Sequence, residues 1–259
     1  MRSLVNLKLW LAATATLVTP FWSAPARAGF ILTREAPGVQ TSQVGGVVTE
    51  TFDSIATGPY QTLNTAVGTI TSPTALSIFS ADRFGGAGGT GRYFAVGFQG
   101  APTPQASLAL ALGVPQSYFG FWWSAADPQN LIEFYSGGSL VAFFNPTTAL
   151  GDLTAPAYFG NPNAPFLGQN PTERYAYMNF IGTNGSTFDR VVFRNSTQSG
   201  FEADNFSIRA APVGTLPGTI ITGGVTVVSP VPAPPAALLL ASGCTCVGLA
   251  RLRRVFSRA

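Results

Sequence analysis

Leu131-Ile132-Glu133-Phe134-Tyr135, then Ser136-Gly137-Gly138-Ser139, then Leu140-Val141-Ala142-Phe143-Phe144, reads as a strand, a tight turn and a second strand. Branched and aromatic side chains suit a pleated, half-buried surface, and Gly-Gly supplies the positive φ that a two-residue hairpin requires. The same pattern recurs outward along the chain. Asn184-Gly185 predicts a second hairpin, joining Tyr175–Ile181 to Phe188–Arg194. Further segments of this kind lie at Val47–Phe52, Ala75–Phe79, Tyr93–Phe98, Ser107–Leu112, Tyr118–Trp123 and Phe201–Ile208. No stretch of the body combines a sustained helical period with cap signals. The expected fold is therefore all-β, a single two-sheet β-sandwich of jelly-roll type over residues 29–210. Proline at 146, 156, 162, 165 and 171 predicts an irregular loop from Asn145 to Thr172. A flexible Pro/Gly/Thr/Val linker is expected over 211–230, with a further strand at Ile220–Val228 as the alternative.

Charge and cysteine content narrow the function. The chain carries a formal +3, yet between Gly29 and Ser229 it has seven Arg, no Lys and all eleven acids, so the body is about −4 (7 − 11). A mildly acidic body argues against nucleic acid as a partner. The chain has no His, and its two cysteines, Cys244 and Cys246, lie near the C-terminus. Ser-His-Asp and Cys-His catalysis, His-ligated zinc and body disulfides are therefore unavailable. A carboxylate pair remains able to hydrolyse glycosides, but no two of the eleven acids can be placed across a cleft from sequence, and no catalytic residue is assigned.

Both ends read as targeting segments. Arg2 and Lys8 precede the apolar stretch Leu9–Thr19, Pro20 breaks it, and Ala26-Arg27-Ala28 has the small-x-small form of a signal cleavage site. Residues 1–28 are thus a signal peptide, with Gly29 as the expected mature N-terminus. At the other end Val231-Pro232-Ala233-Pro234-Pro235 leads into the apolar stretch Ala236–Ala250, then Arg251-Leu252-Arg253-Arg254. The apolar segment, counted from Pro234, has about 17 residues, or roughly 25 Å as a helix, near the lower limit for crossing a membrane. The arginines would hold its end on the cytoplasmic side.

The tail, residues 231–259, resembles the PEP-CTERM sorting signal of exosortase substrates through Val231, Pro232, Pro234, Pro235 and the cluster Arg251, Arg253 and Arg254. Ala233 departs from that pattern, which usually has an acid after the first Val-Pro. The resemblance implies transient anchoring by a transmembrane helix, processing by an exosortase, and a place at the cell surface or in an extracellular matrix, among exopolysaccharide. The order Tyr118–Trp123, the Asp127–Asn130 loop and Gly200–Phe206 also looks like the lectin-like bodies found on such proteins.

Two candidate sites follow from strand alternation. Tyr118 and Trp122 share one face and Phe119, Phe121 and Trp123 the other, so the first pair is the candidate for stacking on sugar rings if exposed. Glu202, Asp204, Phe206 and Ile208 share a face if alternation is strict. With Phe206 inward, the two acids need a cation or an Arg. Asp53, Glu202 and Asp204, with Asn205, form the candidate structural calcium site. The alternatives are a salt bridge to Arg194 or Arg209, or a bulge that turns both acids outward.

Overall fold

The computed structural model describes residues 29–97, 106–195 and 200–228. The signal segment and the sorting tail lie outside the described residues. The strands are β1 (Gly29–Arg34), β2 (Val48–Glu50), β3 (Gly58–Thr65), β4 (Gly68–Ser80), β5 (Arg92–Val96), β6 (Ala106–Gln116), β7 (Tyr118–Ala126), β8 (Asn130–Ser136), β9 (Ser139–Phe144), β10 (Arg174–Thr183), β11 (Phe188–Asn195), β12 (Phe201–Arg209), β13 (Thr219–Ile220) and β14 (Val225–Val227). A short helix, α1 (Pro146–Asp152), lies between β9 and β10. The fold is all-β and sandwich-like, and each expected segment contains a strand.

Hydrogen bonding is continuous where two separate sheets are expected. The antiparallel ladder runs β13-β1-β10-β7-β12-β5-β4-β6-β11-β8-β9-β14, with β2 on β12 and β3 on β4. The ladder folds over so that aromatic rings from its two halves meet. Phe193 of β11 lies parallel to Phe206 of β12, with centroids 5.2 Å apart. Phe134 of β8 meets Phe180 of β10 at 4.8 Å, and Phe144 of β9 meets Trp123 of β7 edge-on at 5.1 Å. Offset and edge-to-face ring pairs add to simple area burial, so a body without disulfides is held by its phenylalanines.

The first hairpin forms as expected. Ser136 pairs with Ser139 around Gly137 and Gly138, at φ 55° and 84°. The second does not. Asn184 and Gly185 do turn the chain, at φ 54° and 78°, but β10 pairs with β1 and β7 while β11 pairs with β6 and β8. Both edges of each strand are occupied by others, so the turn carries the chain from one layer to the other.

The expected flexible linker is another correction. Thr219 and Ile220 pair with Arg34 and Thr33, Ile221 N–H donates to Leu32 O (2.9 Å), and β14 pairs with β9. β1 and β9 would otherwise offer open edges, and Ile221 is buried beside β1. Gly224 permits this approach, since a Cβ there would stand 2.5 Å from Leu32 Cδ2. β1 and β3 are also additions to the expected set, and α1 begins at Pro146 inside the segment expected to be irregular.

Candidate binding site on the outer sheet face

Two bulges decide which side chains reach the outer face. Along β12, Phe201 and Ala203 enter the core, and so do Phe206 and Ile208. The parity changes because the register with β7 slips between Asp204↔Trp122 and Ser207↔Gly120, with Asn205 at φ 51°. Glu202 and Asp204 are thereby placed opposite Phe206, not beside it. A matching slip near the end of β7 leaves Trp123 and Ala126 in the core and turns Ala125, at φ 44°, outward.

The outward acids are not solvated. Glu202 retains 7% exposure and Asp204 3%. Neither arginine considered from sequence meets them, because Arg194 pairs with Glu133 (3.0 Å) and Arg209 donates to Gly45 O (2.7 Å). The cover is the segment between β4 and β5, which crosses the sheet face and is tied down at several points. Asp82 Oδ1 accepts from Phe84 N–H (2.7 Å), Gly85 N–H (3.2 Å) and the Tyr93 hydroxyl (3.1 Å). Asp204 Oδ2 accepts from Ala87 N–H (2.8 Å), and its Oδ1 from Asn205 N–H (2.6 Å). Asn161 Nδ2 donates to Asp82 O and Arg83 O, both at 3.2 Å.

Tyr118 and Trp122 lie on one outer face, as alternation requires, but both are fully buried. Tyr118 donates to Asn179 Oδ1 (2.7 Å) and shares a bond with Ser42 Oγ (2.8 Å). Trp122 lies beneath Phe84 and Ala87 beside Tyr175, and its Nε1 has no hydrogen-bond partner. Neither ring offers a face to a sugar, because loops cover this side of β7 as the second sheet layer covers the other.

The calcium set also separates. Asp53 Oδ1 accepts from Arg92 N–H (2.8 Å), Asp204 is engaged by the main chain of Ala87 and Asn205, and Glu202 faces a cavity. Among the described residues no group of three or more acidic, His or Cys side chains comes together to hold a metal.

The cavity lies between the sheet and the covering segment. Its volume is about 170 Å³, and its lining includes Phe79, Phe84, Tyr93, Asp82 and Glu202. Phe79 and Tyr93 face each other across β4 and β5, with ring centroids 5.8 Å apart. Burial pushes the Glu202 carboxyl well above the ordinary carboxylate value; its own N–H acts against this, and Asp127, Glu173 and Asp82 add to it by repulsion. Asp204 is pushed up to about 7, first by burial, against the two backbone bonds it accepts.

No family model matches the chain, and no curated protein matches it. Among solved structures, it is similar to the catalytic domain of a GH87 alpha-1,3-glucanase variant in complex with tetrasaccharides. The TM-score is 0.31 at 13% identity, over 76% of this chain and 30% of that one. Phe79, Asp82, Phe84 and Tyr93 were not legible as a site, although the run Gly85-Gly86-Ala87-Gly88-Gly89 signals a backbone held close to other structure.

Proposed function

We propose that the chain is an exported bacterial surface or extracellular-matrix protein, with a non-enzymatic body displayed after sorting and exosortase processing of its C-terminal tail. The observation that carries this is the order of Val231-Pro232, Pro234-Pro235, the apolar segment, and Arg251, Arg253 and Arg254. The body's strand boundaries are compatible with both cuts. Cleavage after Ala28 leaves β1 whole, with Gly29 N–H donating to Ser186 Oγ (2.9 Å). A cut near the prolines removes no described strand, since β14 ends at Val227 and Val228 N–H bonds Val141 O (2.9 Å). A chain without histidine, and without cysteine in its body, supports a role in structure or binding over nucleophilic catalysis.

Mass spectrometry of the mature protein from its native host tests this proposal. A C-terminus within Val231–Pro235 is expected. A C-terminus at Ala259 would make the tail a plain membrane anchor and remove the exosortase from the account.

A second function, carbohydrate binding by the body, is favoured by the cavity. Its site shifts from Tyr118 and Trp122 to the aromatic walls Phe79, Phe84 and Tyr93.

A further inference from the structure

Among the described residues, Glu202 has no partner of opposite charge. A buried carboxylate is ordinarily paired, ligated or neutral. The ion pairs among the described residues join Arg34 to Asp152 and Arg194 to Glu133, and neither reaches Glu202. Asp82 lines the same cavity, and Asp127 and Glu173 lie near enough to repel Glu202. Ser124 stands directly opposite Glu202 on β7, and its buried Oγ has no partner; nor has the buried Oε2 of Glu173. Arg83 offsets this charge only partly: its guanidinium lies 4.5 Å over the Phe84 ring and acts on Glu173.

Acidic side chains beside aromatic faces select an organic cation, whose charge draws Glu202 into its ionised form. Ring quadrupoles and carboxylates both attract an ammonium group, and the apolar walls favour a carbon-bearing ligand over a bare metal ion. The cavity has room for about one sugar ring.

We propose that the cavity binds a protonated amino sugar, such as a 2-amino hexose unit of a cationic polysaccharide, with its ammonium between Glu202 and Asp82 and its C–H face against the aromatic walls. This rests on the cavity being the body's carbohydrate site and is independent of how the tail is processed. Binding also moves a proton. Burial keeps Glu202 protonated to higher pH than a free Glu, and an ammonium beside it favours the ionised form. The titratable groups acting on Glu202 include Asp127, Glu173 and Asp82, with Tyr93 and Tyr175 nearby and neutral. Occupation at a pH where Glu202 is still protonated in the free protein therefore releases a proton.

The test is calorimetry on the full chain in detergent, with glucosamine, glucose, N-acetylglucosamine and n-butylamine as separate ligands. Glucosamine is expected to bind best, by about tenfold over the neutral sugars, equal to about 1.4 kcal/mol. Its enthalpy should change between buffers of different ionisation enthalpy, reporting the released proton. Glu202→Gln should weaken glucosamine by about tenfold and abolish proton release. If that variant fails to fold, Phe84→Ala on the covering segment, together with proton release in the wild type, decides the matter. Equal binding of glucose and glucosamine would overturn the ammonium while leaving a carbohydrate site. Equal binding of butylamine and glucosamine would overturn the sugar, and binding by none of the four would overturn both.

Discussion

Raising the pH should destabilise this body, and Asp204 sets the scale. Its carboxyl is pushed up from 3.8 to about 7, chiefly by burial. A folded-state value above the unfolded one means that the folded chain holds the proton more tightly. The stability this confers is complete below the unfolded value and is lost as pH rises through about 7. About three pH units at about 1.4 kcal/mol each give about 4 kcal/mol from this one group. Glu202, Glu35 and Glu173 are also raised by burial and add with the same sign. For a body of this length that amounts to about 10 °C in Tm. Thermal unfolding followed by tryptophan fluorescence, at intervals from pH 4.5 to pH 8.5, measures it. The wild-type Tm should fall across that range, and Asp204→Asn should fall less steeply, because the amide accepts a backbone bond without titrating. The variant's Tm at any single pH includes the cost of one lost acceptor, so the slope is the readout. A flat wild-type profile, or equal slopes, would refute burial of Asp204 as the controlling effect.

The two adjacent tryptophans should respond differently to the same change. Trp123 Nε1 donates to Asn130 Oδ1 (2.8 Å), whereas Trp122 Nε1 is buried without a partner. In urea unfolding, Trp123→Phe should therefore cost about 1 kcal/mol more than Trp122→Phe; equal costs would mean that Trp122 has a partner after all. Ending the chain after Ala210 instead of Val228 should lower stability by about 2 kcal/mol or more, through loss of the buried Ile221 side chain, exposure of Leu32 and reopening of the β1 and β9 edges. Matching melting curves for the two truncated chains would restore residues 211–228 to the status of a linker.

Much of the fold was legible because strand and turn signals are local. Leu131–Phe144 carries its turn type in Gly137-Gly138, and the structure has that hairpin. Partner choice is not local. Asn184-Gly185 encodes a turn, but whether its flanking strands pair depends on what else lies along their edges, and β1, β7, β6 and β8 take all four. The closing strands β13 and β14 were obscured for the same reason. Ile221 and Val225 sit among Pro, Gly and Thr, and only the open edges of β1 and β9 make strands of that stretch. The candidate site was lost to a single residue. Strict alternation puts Glu202 with Phe206, and the bulge at Asn205 puts it on the other face.

That bulge bears on what the outer face is for. Without it, Glu202 and Asp204 would enter the hydrophobic core that holds Phe119 and Phe193, where an acid is costly to bury. With it, they reach the outer face and are then buried again under the covering segment. Non-glycine residues at positive φ are held there at a cost, and both Asn205 and Ala125 adopt such values on this face. Asp204 has a structural use, since it anchors Ala87 and so holds the cover in place. Glu202 has none of that kind: it folds back towards Gly200, where a side chain would collide with its carboxylate, and it presents an uncompensated acid to a cavity. Serine or threonine at 202 would fill a strand position without the desolvation cost. Among the described residues Glu202 ties down no other segment, and its place on an aromatic-walled cavity is what the proposed ligand would account for.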